Sequence, residues 1–219
     1  MWNRVVGPRI PSGAPRGELV RYALPTALFA AAAVLLIVSV FVPYWRMTLH
    51  APQYPRGLHL QAYLTHLTGD VHEIDGLNHY IGMRPLGEAA TFERSVAVLA
   101  VASLAALIGA AIFVHSRFAA ALALPALLFP AGFLIDLYLW MRHFGLNLDE
   151  RAPLSAAVKP FVPPVLGEGF VGQFRTVAVP DAGLIMAAVA SLLVLAGLWA
   201  HRRAYKPLFD AMGGEEGTP

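Results

Sequence analysis

The residues with the most chemistry available to them lie between Trp45 and Met83. This stretch holds five of the eight histidines (His50, His59, His66, His72 and His79) and two of the six methionines, Met47 and Met83. Imidazole and thioether together form the ligand set expected for copper where no thiolate is present, with methionine favouring Cu(I). The chain has no cysteine, which removes disulfides, thiolate metal sites and covalent attachment of c-type haem. His79 and Met83 are four residues apart, so a short helix would set them on one face. His72 lies seven residues before His79, but Asp75-Gly76 is expected to interrupt a continuous helical stripe. Met47 and His50 would approach each other if the chain folds back after the first apolar run. The expected metal-ligating set is therefore His79, Met83, His72, His50 and Met47, with copper as the metal. Against it stands the commoner role of such residues: a histidine in an interfacial loop hydrogen-bonds, and a methionine there packs.

A second group centres on Asp136, about one turn inside the outer end of the third apolar run. An ionisable residue within a span is costly and points to function. The bland alternative is a helix-end carboxylate that reaches the interface or pairs with Arg142 or the first loop. His143, one turn beyond Trp140, would extend this polar cluster. A b-type haem needs axial histidines from the spans themselves. Only His115, His201 and His143 lie near span ends, so no haem is expected. Ser-His-Asp spacing, H-E-x-x-H, the P-loop and G-x-G-x-x-G are all missing, and the sequence does not read as an enzyme.

The elements that must hold these residues are apolar. The 219 residues are 57% hydrophobic and only 14% charged, against roughly 25% charged in a soluble domain. Mean hydropathy is +0.58, and net charge is only +2. With no basic tract carrying interleaved aromatics, nucleic acid is not an expected partner. Apolar runs cover 23–43, 95–114, 118–140 and 182–200. Each is near the 20 or so residues that a hydrocarbon core of about 30 Å requires. The first is too long for the apolar centre of a signal peptide and ends Phe-Val-Pro-Tyr-Trp instead of at a small-residue cleavage site. It reads as a retained span with interfacial Tyr44 and Trp45. Residues 1–22 read as a polar, irregular N-terminal tail, 115–117 as a link too short for anything but an antiparallel helical hairpin, and 201–219 as a C-terminal tail.

These three inner segments carry half of the sixteen Lys and Arg residues. The two long loops, 44–94 and 141–181, carry the other half over about twice the length, among many acidic neighbours. The positive-inside rule then puts both termini in the cytoplasm and both loops outside. The expected fold is an all-α membrane protein of four transmembrane helices whose outward loops form a small cap. From Gly57 the first loop alternates, with Leu58, Leu60, Ala62 and Leu64 on one face and His59, Gln61, Tyr63 and Thr65 on the other. Period two predicts a half-buried strand, with a turn at Thr68-Gly69-Asp70 and a return strand over Val71–Ile74. Asp75 suits the N-cap of a short helix over Gly76–Met83. The second loop, rich in proline and glycine, reads as ordered coil. A lone hairpin is marginal, so the first loop is expected to pack on the second.

Several runs carry a resemblance. Ala51-Pro-Gln-Tyr-Pro55 with Gly57-Leu58, Gly69-Asp-Val71 and Gly76-Leu-Asn-His-Tyr-Ile-Gly-Met83 resemble a family of small bacterial membrane proteins. Their genes accompany nitrous oxide reductase and its copper-maturation proteins. Asp136-Leu-Tyr-Leu-Trp140, Asn147-Leu-Asp149 and Pro163-Pro-Val-Leu-Gly167 are similar to the same family. The likeness covers both loops and the third span, about half the chain. It implies a bacterial inner-membrane, multi-pass accessory protein that presents or handles copper for an extracytoplasmic respiratory enzyme. It assigns no catalytic residue. Two other functions remain open: a non-catalytic anchor or subunit whose outer loops dock a protein partner, and a small-solute transporter. The last fits poorly, because transporters show polar or broken spans at the midplane.

Overall fold

The computed structural model describes Val6, residues 16–171 and residues 174–215. Its elements in chain order are α1 (Arg16–Ser39), β1 (Trp45–Ala51), β2 (Tyr54–Ala62), β3 (Leu67–Gly69) and α2 (Val71–Ile81). After a short 3-10 turn at Leu86–Glu88 come α3 (Thr91–Phe113), α4 (Phe118–Leu146), β4 (Gly167–Val171), β5 (Phe174–Pro180) and α5 (Ala182–Glu215). Four stretches are long and apolar enough to cross a membrane: Leu19–Ser39, Thr91–Phe113, Phe118–Leu146 and Ala182–Leu208. The chain divides into two compact units, residues 1–38, 100–129 and 186–219 in one and residues 39–99 and 130–185 in the other.

The first unit is helical, and its packing is that of a lipid-soluble bundle. Ala32, Ala105, Ala111, Ala119, Ala123, Ala126, Ala187 and Ala190 are buried, while Val34, Leu128, Leu192 and Leu195 are exposed. Small residues let helix backbones approach where lipid tails, not water, surround the bundle. A Cβ at Gly197 would meet the Phe29 ring at 2.9 Å, so that glycine admits the buried aromatic. Pro130 lies inside α4, and without an N–H it leaves the Ala126 carbonyl without its helical donor. The Ser191 hydroxyl of α5 is placed to donate to Ala126 O at 3.3 Å.

The second unit is built on one antiparallel sheet of order β3-β2-β1-β5-β4. Trp45–Ala51, a segment that sequence reading does not resolve into an element, is its central strand. Trp45, Met47, Leu49 and Ala51 point inward and Arg46 and His50 outward. β1 pairs with β2 (Met47↔Leu60, Thr48↔His59) and with β5 (Met47↔Ala178, Thr48↔Val177). The inner face buries Leu58, Leu60, Ala62 and Ala178 with Ile74 of α2 and Met141 of α4, and Phe133 and Leu137 pack against them. Trp45, 1% exposed, donates its indole N–H to the Val165 carbonyl at 2.6 Å.

Four expectations are corrected here. The expected two-stranded hairpin is a five-stranded sheet, because strands from both loops share one apolar face. The second loop is not coil throughout, since β4 and β5 pair from Gly167↔Ala178 to Val171↔Phe174. Val71–Ile74 is not a return strand; it opens α2. Ile74, Asn78 and Ile81 are buried at helical spacing, and that period prevails over the β-branched pair, leaving β2 to pair with the short β3. Asp75 does not cap a helix. It lies inside α2 and accepts the Leu86 N–H at 2.8 Å.

The ends also differ from expectation. α1 begins at Arg16, within the segment read as an irregular tail, and α5 continues past Ala200 to Glu215. Residues 1–5, 7–15 and 216–219 of the two expected tails lie outside the described residues.

Candidate functional site

Alternation along three strands sorts the second unit's polar side chains onto one outward sheet face. β2 contributes His59 and Gln61, β1 contributes Arg46, Thr48 and His50, and β5 contributes Arg175. Thr48 Oγ1 lies 3.2 Å from His59 Nδ1, and the His59 amide donates to the Asp70 carboxylate at 2.8 Å. Arg175 makes a forked contact with Glu168 of β4, 3.1 Å from Nε and 2.5 Å from Nη2. Gly57, at φ +74°, lies under Thr48 and His50, where a Cβ would meet Thr48 at 2.8 Å.

The five expected metal ligands do not converge. His79 is exposed on α2, whereas Met83 is buried with Ile81, Phe144 and Val171. The expected shared face is lost because α2 stops at Ile81 with Gly82 left-handed at φ 80°. Met83 N–H bonds the Asn78 carbonyl and Gly82 N–H bonds the His79 carbonyl, a Schellman closure. It carries Met83 off the helix and into the core. His72 and His79 do share an exposed face, since α2 is continuous through Asp75-Gly76. Two turns separate them by about 10 Å along the axis, too far for one ion. Met47 and His50 stand an odd number of residues apart on β1, so one is buried and the other exposed. Among the described residues, no group of three or more His, Asp or Glu is arranged to hold a metal ion. The set as a whole does not fit a copper centre.

Asp136, Arg142 and His143 are not assembled either. Asp136 is half-buried on α4, while Arg142 and His143 are exposed. Six residues along a helix turn Arg142 far from the Asp136 direction. His143 is engaged locally, its carbonyl accepting from Asn147 Nδ2 at 2.7 Å, with the Trp140 ring edge-on at 6.1 Å.

Two features escape the sequence reading. One is His59, which alternation places on the polar strand face but which only the β1–β2 register sets beside Thr48 and diagonal to His50. The other is the junction around Tyr44. Its phenol is buried, bonded to Ser39 Oγ at 2.6 Å and tilted against Phe133 at 5.0 Å. Burial pushes the Tyr44 phenol up to about 12, the Ser39 hydrogen bond opposing part of the rise. Its carbonyl accepts Asp181 N–H at 2.9 Å. The Asp181 carboxylate accepts the Ala182 N–H at 2.7 Å, at the start of α5, and lies 3.9 Å from Arg46. A Phe-Val-Pro-Tyr-Trp run marks an interface, but nothing local in it announces a partner more than a hundred residues away.

The four apolar helices define a multi-pass membrane protein that carries a small antiparallel sheet. Comparison with protein-family models, curated proteins and solved structures found no match.

Proposed function

We propose that the protein is a non-catalytic accessory subunit of the bacterial cytoplasmic membrane, whose sheet docks an extracytoplasmic respiratory enzyme. The observation that carries this reading is the five-stranded sheet drawn from both loops. Its inner face is anchored by Trp45, Met47 and Leu49, and its outer face presents Arg46, His50, His59 and Arg175, with Phe170 of β4 at 68% exposure. Such a surface is rigid, charged and aromatic, the composition of a protein-docking patch. Positive-inside density supports both termini in the cytoplasm and the sheet outside. The resemblance of the two loops to proteins encoded beside nitrous oxide reductase supports an enzyme of that kind as partner. A photo-crosslinking residue at His59 or Phe170 is expected to capture that reductase in cells. Arg175→Glu with Phe170→Asp should abolish capture from position 59 at unchanged protein abundance. No capture from either position while the reductase is present would end the reading. A reporter fused after Pro219 should be active only in the cytoplasm.

Copper handling is the second reading, and one observation favours it. His50 and His59 are exposed diagonal neighbours on β1 and β2, His59 facing Thr48 and His50 lying two residues on, at the irregularity between Leu49 and Ala51. Two imidazoles suit transient delivery better than storage. Copper titration of the purified protein should show binding that His50→Ala with His59→Ala removes; undiminished binding would exclude the pair.

A further inference from the structure

The helical unit contains a pocket of about 710 Å³ between the α3–α4 link and the second half of α5. This volume lies within the range of roughly 300–1,000 Å³ typical of small-molecule sites. Its fixed charge is all of one sign: Arg117 comes from the link, and Arg202 and Lys206 from α5. The latter two are four residues apart and share a helix face. Among the described residues no carboxylate lines the pocket, and none of the three cations is ion-paired. The floor is a stack of rings. His115 lies on Tyr205 with centroids 4.1 Å apart and planes 19° apart, and His201 follows at 5.8 Å from His115. One wall is apolar, formed by Ala120, Leu198 and Trp199, the last 63% exposed.

We propose that this pocket binds the phosphate of an acidic phospholipid headgroup. Guanidinium groups with no carboxylate partner among the described residues meet phosphate oxygens as paired donors, and a lysine adds a point charge. A free phosphate would use these cations but leave the apolar wall unused, whereas a lipid uses both. The pocket lies where apolar spans meet polar ends: Phe113 and Phe118 bound two spans, and the third reaches Leu208. An exposed tryptophan at that level is an interfacial anchor. With the termini inside, this is the leaflet rich in anionic lipid, and basic pockets between helices there suit anionic headgroups.

The test uses purified full-length protein in neutral detergent, followed by thermal unfolding and native mass spectrometry. The probes are phosphatidylglycerol, phosphatidylcholine, inorganic phosphate and glycerol 3-phosphate. Phosphatidylglycerol is expected to raise the unfolding temperature saturably and to give a one-to-one adduct. Phosphatidylcholine and the two soluble phosphates should do neither at the same concentration. Arg117→Gln with Arg202→Gln should weaken phosphatidylglycerol binding about a hundredfold, since each charge-assisted contact contributes about tenfold. Lys206→Gln alone, an exposed single change that keeps the fold if the double variant does not, should weaken it about tenfold. Arg142→Gln removes an exposed charge of the second unit, outside the lining, and should alter affinity by no more than about twofold. Equal binding of phosphatidylcholine, or undiminished binding by the Lys206 and double variants, would overturn the proposal. Equal binding of inorganic phosphate or glycerol 3-phosphate would overturn the lipid assignment and leave a soluble-anion site.

Discussion

The Ser191 hydroxyl is 3.3 Å from the Ala126 carbonyl, the acceptor that Pro130 leaves without an amide in its own helix. The same hydroxyl also lies 3.3 Å from Leu127 O of α4 and 3.1 Å from Ala187 O within α5. A polar side chain thus ties α5 to α4 where α4 lacks one backbone donor. Ser191→Ala is expected to destabilise the protein by about 0.5–2 kcal/mol, the range for interhelical hydrogen bonds in membranes, measured by thermal unfolding in detergent. Pro130→Ala would give Ala126 its own helical partner. In that background Ser191→Ala should cost clearly less, and an equal cost in both backgrounds would refute the coupling.

Gly82 and Gly76 should respond to alanine in opposite directions. Gly82 has φ +80°, and an added Cβ would lie 2.5 Å from the Asp149 carbonyl oxygen. The left-handed backbone alone costs about 1–2 kcal/mol for a side chain, so Gly82→Ala should lose at least that. Gly76 is interior to α2 with nothing within 4 Å of a Cβ. Gly76→Ala should add about 0.5–1 kcal/mol. Paired unfolding measurements check both signs.

Met83 belongs to the core and His79 to the surface. Met83→Ala should therefore cost about 2–5 kcal/mol of stability and leave copper binding unchanged. His79→Ala should alter neither stability nor the fold detectably. A joint loss of Cu(I) affinity in both variants, with the fold intact, would restore a shared site and contradict the placement of Met83.

Asp136 has no ion-pair partner among the described residues. Asp136→Asn should leave the unfolding temperature unchanged or raise it. Breaking a buried charge pair would instead cost about 3–5 kcal/mol. A loss of that size would reveal a partner.

Tyr44 makes stability depend on high pH. Its folded phenol titrates at about 12, above the ordinary value of 10.0, so the folded state favours the neutral form. That contribution is complete below pH 10 and is lost as pH rises from 10 through 12. Alkaline unfolding should therefore be sharper in the wild type than in Tyr44→Phe, which loses about 1 kcal/mol at neutral pH with the Ser39 hydrogen bond. Tyrosinate absorbance of the two proteins should differ by one group ionising near 12. A difference spectrum that titrates near 10 would place Tyr44 in water.

Much of this protein was legible from local pattern. Length and apolarity of four runs determined the spans, because a run must match the hydrocarbon thickness whatever surrounds it. Period two determined the inward set Leu58, Leu60 and Ala62, because a strand turns alternate side chains to opposite faces. The tertiary structure alone decided the rest. β1 sits between β2 and β5 because its pairing with Phe174–Pro180 closes a loop of more than a hundred residues, a contact with no local signature. Spacing four, from His79 to Met83, promised a shared face only if the helix continued. The chain turned instead at Gly82, where Asp149 approaches too closely for any side chain. Arg117 and the Arg202–Lys206 pair were legible in the sequence as charges that orient the chain. They become one pocket only when the α3–α4 link and α5 pack side by side, since charge type is a local property and convergence is not.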